Sequence, residues 1–232
     1  MKLNPSDLMA IEDAVREAER RTTGEIYCVA AEESSEYGET PLAWAAAVAL
    51  ILPPLLMLLG LQLAPPDLFA SWSAAQTAPV ADRVAREAVL GLLAVQAILF
   101  VATFALVSLA PLRRALTPRA FKRERVRRRA QEQFLAKNLH RTRERTGVLI
   151  FASFDERMAE IIADEGIASQ VDAAVWDRAM DALTEGLKRG QPGAAFAAAV
   201  SFCADVLAER FPCRPGDNPN ELPDAVVVLP TT

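Results

Sequence analysis

Two apolar stretches, Leu42–Leu63 and Ala88–Leu112, contain no Asp, Glu, Lys or Arg. A bilayer core is about 30 Å thick and takes roughly 20 residues of helix to cross, so each run is long enough to span it. Pro53-Pro54 falls inside the first run and predicts a kink. Gln62 and Gln96 read as interhelical or interfacial hydrogen-bonding groups rather than as a conduction path. Two spans without an ionisable residue make a poor transporter. What remains of the 232 residues, a short N-terminal piece and a long C-terminal piece, is enough for one modest core. The expected plan is therefore a soluble domain carried in two pieces, residues 1–41 and 131–212. Spans at 42–63 and 88–112, a connection at 64–87, a basic juxtamembrane segment at 113–130 and a tail at 213–232 complete it.

Charge sets the expected topology. The chain is acidic overall, with a formal net charge of −5, yet nine Lys or Arg residues and one acid, Glu124, lie between Arg113 and Arg129. Such a run suits nucleic acid or a lipid surface. Directly after an apolar span, and without interleaved aromatic stacking platforms, the lipid reading is preferred and nucleic acid is not expected. Arg113, Arg114, Arg119, Lys122 and Arg123 form the expected lipid-facing cluster. The positive-inside rule keeps this segment cytoplasmic, puts 65–87 outside and returns the N-terminus to the cytoplasm. Trp44 and Trp72 fall near the expected interfaces. Cys28, Cys203 and Cys213 are an odd set without CxxC spacing. Cys28 and Cys203 sit in apolar patterns and read as core residues of a reducing compartment. No N-terminal signal peptide is expected, because the first apolar run starts only at Leu42.

The soluble pieces alternate helix and strand. Ser6 is the expected N-cap of a helix to about Arg21, with Leu8, Ile11, Val15 and Ala18 on one face and Gly24 as a left-handed stop. Glu25–Ala31 reads as a buried strand. A charged helix follows at Pro118–Leu139, with Val126, Ala130, Phe134 and Leu135 inward. It leads into the strand Val148–Ser153, and Met158–Ala163 hairpins back onto that strand. The grammar repeats: TGEIYCVA matches TGVLIFAS, each after an arginine-rich helix end. Two such units predict adjacent strands with helices packed on the sheet and the spans inserted in the crossover. Helices at about Asp172–Arg189 and Ala194–Phe211 complete the core, and Ala225–Leu229 is a candidate edge strand.

These residues resemble the TPM domain family. The resemblance rests on the first helix followed by Thr23-Gly24-Glu25-Ile26, on Thr146-Gly147-Val148-Leu149-Ile150, and on the hairpin Glu156-Arg157-Met158-Ala159-Glu160-Ile161-Ile162-Ala163-Asp164 with Gly166-Ile167 after it. It covers about Pro5–Glu36 and Gln131–Phe211. It implies an α/β fold, a small αβα sandwich, here split by a two-helix transmembrane hairpin as in a bacterial inner-membrane branch. For the family it implies roles in assembly or repair of membrane complexes, with acid phosphatase activity or divalent-cation binding in some members. Fold alone does not transfer any of these.

Catalytic chemistry is weakly signalled. There is no P-loop, no Cys-x5-Arg and no HExxH. His140, the one histidine, lies near Arg141 and Arg143, where it suits a general acid, anion binding with those arginines, or, more plainly, a helix C-terminal dipole contact. Asp155, Glu156, Glu160, Asp164 and Glu165 cluster in sequence around the hairpin. Carboxylates converging there suit Ca²⁺ or Mg²⁺, and a solvated rim is the plainer reading. Glu25, Asp155, Asp164, Glu165 and His140 are the candidate ligand or surface-site residues. No cofactor is required beyond such a cation. The leading expectation is a non-enzymatic, membrane-anchored module that binds a membrane-protein partner. The alternatives are a phosphatase or metal-dependent hydrolase using the acidic site, and a divalent-cation sensor.

Overall fold

The computed structural model of the chain describes residues 3–34, 37–59, 78–142, 145–213 and 223–230. In chain order the elements are α1 (Pro5–Glu19), β1 (Glu25–Ala31), α2 (Glu39–Leu58), α3 (Ala78–Val107), α4 (Ala110–Leu116) and α5 (Arg119–Ala136). There follow β2 (Gly147–Ser153), β3 (Met158–Ala163), the single turn α6 (Glu165–Ala168), α7 (Ala173–Lys188), α8 (Pro192–Arg210) and β4 (Val227–Leu229). They form two compact units: Met1–Glu36 with Arg119–Thr232, and Tyr37–Pro118.

The first unit is built on one sheet of order β3-β2-β1-β4. β1 and β2 run parallel from Glu25↔Gly147 to Ala31↔Ser153. β3 is antiparallel to β2, and β4 is parallel to the end of β1. A parallel pair requires a crossover, and the connection from β1 to β2 holds the entire second unit followed by α5. The alternation of side chains along a strand then divides the core. Ile26, Cys28, Ala30, Val148 and Ile150 join Ile11, Val15, Leu183, Phe196, Val200 and Leu207 on one face, under α1, α7 and α8. Tyr27, Val29, Leu149 and Phe151 meet Val126, Ala130 and Phe134 of α5 on the other. The result is an αβα sandwich.

Local chemistry corrects several element ends. The cap of α1 is Asn4, not Ser6. Asn4 Oδ1 accepts from Asp7 N at 2.8 Å, and Asp7 Oδ2 accepts from Asn4 N at 3.0 Å. This capping box has Pro5 in the first turn, where a missing N–H costs nothing. Gly24 is not a left-handed stop, since among the described glycines only Gly190 has a positive φ. Its value lies in close packing, because a Cβ there would meet Leu207 at 3.0 Å. Leu135, expected inward, is 59 % exposed. Val126, Ala130 and Phe134 keep the four-residue spacing of a helical stripe, and Leu135 falls beside it. Gly147 is demanded by contact: a Cβ would sit 2.6 Å from the Leu139 carbonyl oxygen.

In the second unit α2 and α3 pack against each other. The buried side chains of α2 include Ala45 and Ala49, small residues four apart, of the kind that lets helices approach closely. Thr40 and Thr117 share a hydroxyl hydrogen bond at 3.1 Å, and Trp44 Nε1 donates to Leu116 O at 3.3 Å. The helix α2 runs on through Pro53 and Pro54. The second helix begins before Ala88 and stops at Val107, short of Leu112. Gln62 and Trp72 lie outside the described residues.

Three described helices are long and apolar enough to cross a membrane, over Glu39–Leu56, Val89–Val107 and Pro192–Arg210. The third lies in α8, where Phe196, Ala199, Val200, Cys203 and Leu207 are buried in the sandwich core. The first two belong to the second unit, where fifteen large apolar side chains are exposed among the described residues from Leu42 to Leu106, among them Leu50, Ile51, Leu58, Leu90, Ile98 and Val101.

Candidate functional site

Register decides which of the acids can meet. Glu25 pairs with Gly147, and Asp164 N donates to Gly147 O at 2.9 Å. Glu25, Gly147 and Asp164 therefore form one row across the sheet, at the end where β1 and β2 begin. Glu165 follows Asp164 directly. Asp155 lies past the far end of β2, where its N–H donates to Glu32 O at 3.0 Å. Seven strand residues at about 3.3 Å each separate the two ends by roughly 20 Å. The sequence-adjacent acids of the hairpin thus divide into two groups. The structure brings Glu25, Asp164 and Glu165 to one end and leaves Asp155 and Glu156 at the other.

At the first end, Asp164 is buried and caps α6, its Oδ1 accepting from Glu165 N at 2.7 Å. Arg145, held at φ 54, places Nη1 2.9 Å from Glu165 Oε2 and Nε 3.8 Å from Asp164 Oδ2. The one guanidinium thus spans both carboxylates. His140 lies in the helical turn Leu139–Arg141 that leads towards β2. Its Nδ1 is buried without a hydrogen bond among the described residues. Arg143 lies outside them.

The same end holds two acids that the reading by motif missed. Glu19, the last residue of α1, is buried. Its carboxyl pKa is pushed up to about 8, by burial first and then by the charges of Glu25 and Asp224. It accepts the Ile26 N–H and hydrogen-bonds the Asp224 side chain. A signal for Glu19 was present, since it continues the buried spacing Ile11, Val15, Glu19. Asp224 carries no local signal, because its position depends on the docking of a distant tail.

At the other end, Ser34 N donates to Glu156 Oε1 at 3.1 Å, and the buried Ser153 hydroxyl bonds the other oxygen of Glu156. Asp155 is exposed. Glu160, midway along β3, has its carboxyl pKa raised by burial, against the lowering influence of Arg127 and Arg123 of α5. Arg123 therefore serves the α/β unit electrostatically. Arg119 and Lys122 also lie on α5, whereas Arg113 and Arg114 belong to α4 of the second unit. The Cys28 thiol pKa is raised by burial, and that of Cys203 is pushed up to about 12 by the same cause, so both thiols stay protonated and inert. Among the described residues no three of His, Cys, Asp and Glu gather in a metal-holding group.

Residues 113–206 match the family model of the TPM domain. That span runs from the basic segment through β2, β3 and α7 into α8, and it contains Asp155, Asp164, Glu165 and His140. The fold is similar to the solution structure of the BA42 protein from the psychrophilic bacterium Bizionia argentinensis, with a TM-score of 0.56 at 18 % identity, covering 98 % of this chain and 96 % of that one. No curated protein matches the chain.

Proposed function

We propose that this chain, with its TPM domain match over residues 113–206, is a multi-pass protein of the bacterial inner membrane whose α/β unit acts as a docking module for a membrane-protein partner. The observation that carries the membrane part is the exposed apolar surface of α2 and α3. Burying one large aliphatic side chain is worth about 1.5–3 kcal/mol. A unit with fifteen large apolar side chains exposed among its described residues, thirteen of them aliphatic, and windows without charge over most of their length, is at home in lipid rather than in water. The basic residues support the orientation. α5 carries seven Lys or Arg residues against Glu124 and Glu132, with Phe121 64 % exposed among them. Placed soon after the second apolar helix, this segment favours the cytoplasmic side and anionic headgroups.

The anchoring is tested by washing membranes at alkaline pH. The full chain stays in the pellet, and Ile98→Arg with Val101→Arg moves it towards the soluble or degraded fraction. Recovery of the unsubstituted chain in the supernatant overturns the anchor. Docking is tested by affinity capture of the full chain from mild-detergent extracts. A specific, stoichiometric membrane-protein partner is expected, and repeated recovery of the chain alone counts against the module.

A further inference from the structure

The four-stranded sheet ends on β3, and register shows which main-chain groups of that strand are taken. Asp164 N donates to Gly147 O at 2.9 Å, and the antiparallel register that pairs Val148 with Ala163 sets those two residues directly opposite. Opposite residues in such a ladder alternate between exchanging hydrogen bonds and exchanging none. Ile162, Glu160 and Met158 therefore bond to β2, and the N–H and C=O groups of Ala159, Ile161 and Ala163 point away from it. Among the described residues, no main-chain hydrogen bond joins those three to another element. Natural edges are commonly blunted by proline, lysine or a bulge. β3, MAEIIA in unbroken register, has none of these.

The two faces beside this edge differ in chemistry. Ile161 and Ala163 lie on the core shared with Trp176 and Met180 of α7, all four only partly buried. Glu160 alternates to the opposite face, under α5, which packs on β3. There Arg127 and Arg123, about one turn apart and both exposed, act on the Glu160 carboxyl. Two guanidinium groups thus face one carboxyl, while the ion pairs described along α5 use Arg128 and Arg129 with Glu132. A second copy joined edge to edge would set two α5 helices on one face of a continuous sheet, each with seven Lys or Arg against Glu124 and Glu132. Repulsion disfavours that occupant, and the same charge favours an acidic one.

We propose that the β3 edge takes up an extended segment of a partner protein as a further strand. The side chains of that segment alternate between apolar, opposite Ala159, Ile161 and Ala163, and acidic, beside Arg123 and Arg127. The proposal rests on the reading of the α/β unit as a docking module and gives that module its surface. Main-chain bonds supply the affinity of such a strand addition, and the alternating side chains supply its specificity.

The probe is a fluorescent peptide, Ser-Val-Glu-Val-Glu-Val-Glu-Val-Ser, titrated with the full chain in detergent micelles and read by anisotropy. Saturable binding is expected, about tenfold or more tighter than that of the same peptide with Lys for Glu, and weakened by salt. Ile161→Pro removes an outward N–H and leaves the β2 ladder whole, a change that edge strands accommodate. It should weaken binding about tenfold. Arg123→Glu with Arg127→Glu should reverse the preference to the lysine peptide, and this variant decides the matter if the proline variant fails to fold. No saturable binding of the acidic peptide, equal binding of the two peptides, or binding unchanged in whichever variant folds overturns the proposal. So does a dimer of the unsubstituted chain that Ile161→Pro dissociates, which would assign the edge to a second copy. A membrane-protein partner captured equally well by Ile161→Pro overturns this edge and leaves the docking module standing. Peptide recognition by these rules upholds the edge even where capture recovers the chain alone.

Discussion

Glu19 shows how one residue links burial, charge and pH in this chain. Its folded pKa of about 8 stands above the ordinary 4.5, so between those values the folded protein binds a proton that the unfolded chain releases. By linkage, the stability that Glu19 supports is complete below about pH 4.5 and is lost as pH climbs through about 8. Denaturant titrations of the full chain between pH 5 and pH 9 should show that loss, and Glu19→Gln should flatten it and be the more stable protein at pH 8. Gly147→Ala makes a second residue-scale prediction. A methyl group forced to 2.6 Å from the Leu139 carbonyl oxygen should cost about 1–3 kcal/mol, the usual range for overpacking, read as a lower denaturation midpoint. The candidate acids were legible in the sequence as residue types but not as a site. Adjacency in sequence suggested that Asp155 and Asp164 converge, and strand geometry sends them to opposite ends of the sheet. Glu19 lay hidden in an apolar stripe, and Asp224 acquires its neighbours only through strand pairing across the length of the chain.

At the scale of elements, α5 carries a burden that its charge disguises. The sandwich core on its side of the sheet is closed by Val126, Ala130 and Phe134, spaced four apart, while the rest of the helix is charged enough to read as a free basic arm. Phe134→Ala should therefore cost about 3–5 kcal/mol, whereas Leu135→Ala, at a position 59 % exposed, should leave the thermal midpoint nearly unchanged. Equal effects of the two substitutions would mean that α5 does not lie on the sheet as described. The strands were more legible than the helix ends. Glu25–Ala31 reads as a buried run, and the repeated Thr-Gly units point to the parallel pair β1–β2. The helix ends were set by details that hydrophobic spacing does not carry, such as the reciprocal Asn4–Asp7 cap and the break at Ser108-Leu109. β4 was visible only as a short apolar run, since three residues beside a proline-rich tail become a strand only by meeting the β1 edge.

At the scale of the whole molecule, the main fact is an insertion. The α/β unit is interrupted between β1 and α5 by a unit with two helices that each contain a long charge-free apolar run, so both ends of that insert are fixed in sequence to elements of a single sandwich. If the apolar helices span a bilayer, those two attachment points must lie on the same side of it, and the connection between the helices must lie on the other. On the proposed reading, the basic run from Arg113 to Arg129 places the sandwich on the cytoplasmic side. Accessibility of single cysteines in spheroplasts tests this most directly, using a membrane-impermeant maleimide and a Cys213→Ser background that leaves only the buried Cys28 and Cys203. The account predicts that Ser73→Cys, between the apolar runs, is labelled in intact spheroplasts, and that Asp177→Cys, on the exposed side of α7, is labelled only after the membrane is permeabilised. Labelling of Asp177→Cys before permeabilisation, or protection of Ser73→Cys, would contradict it.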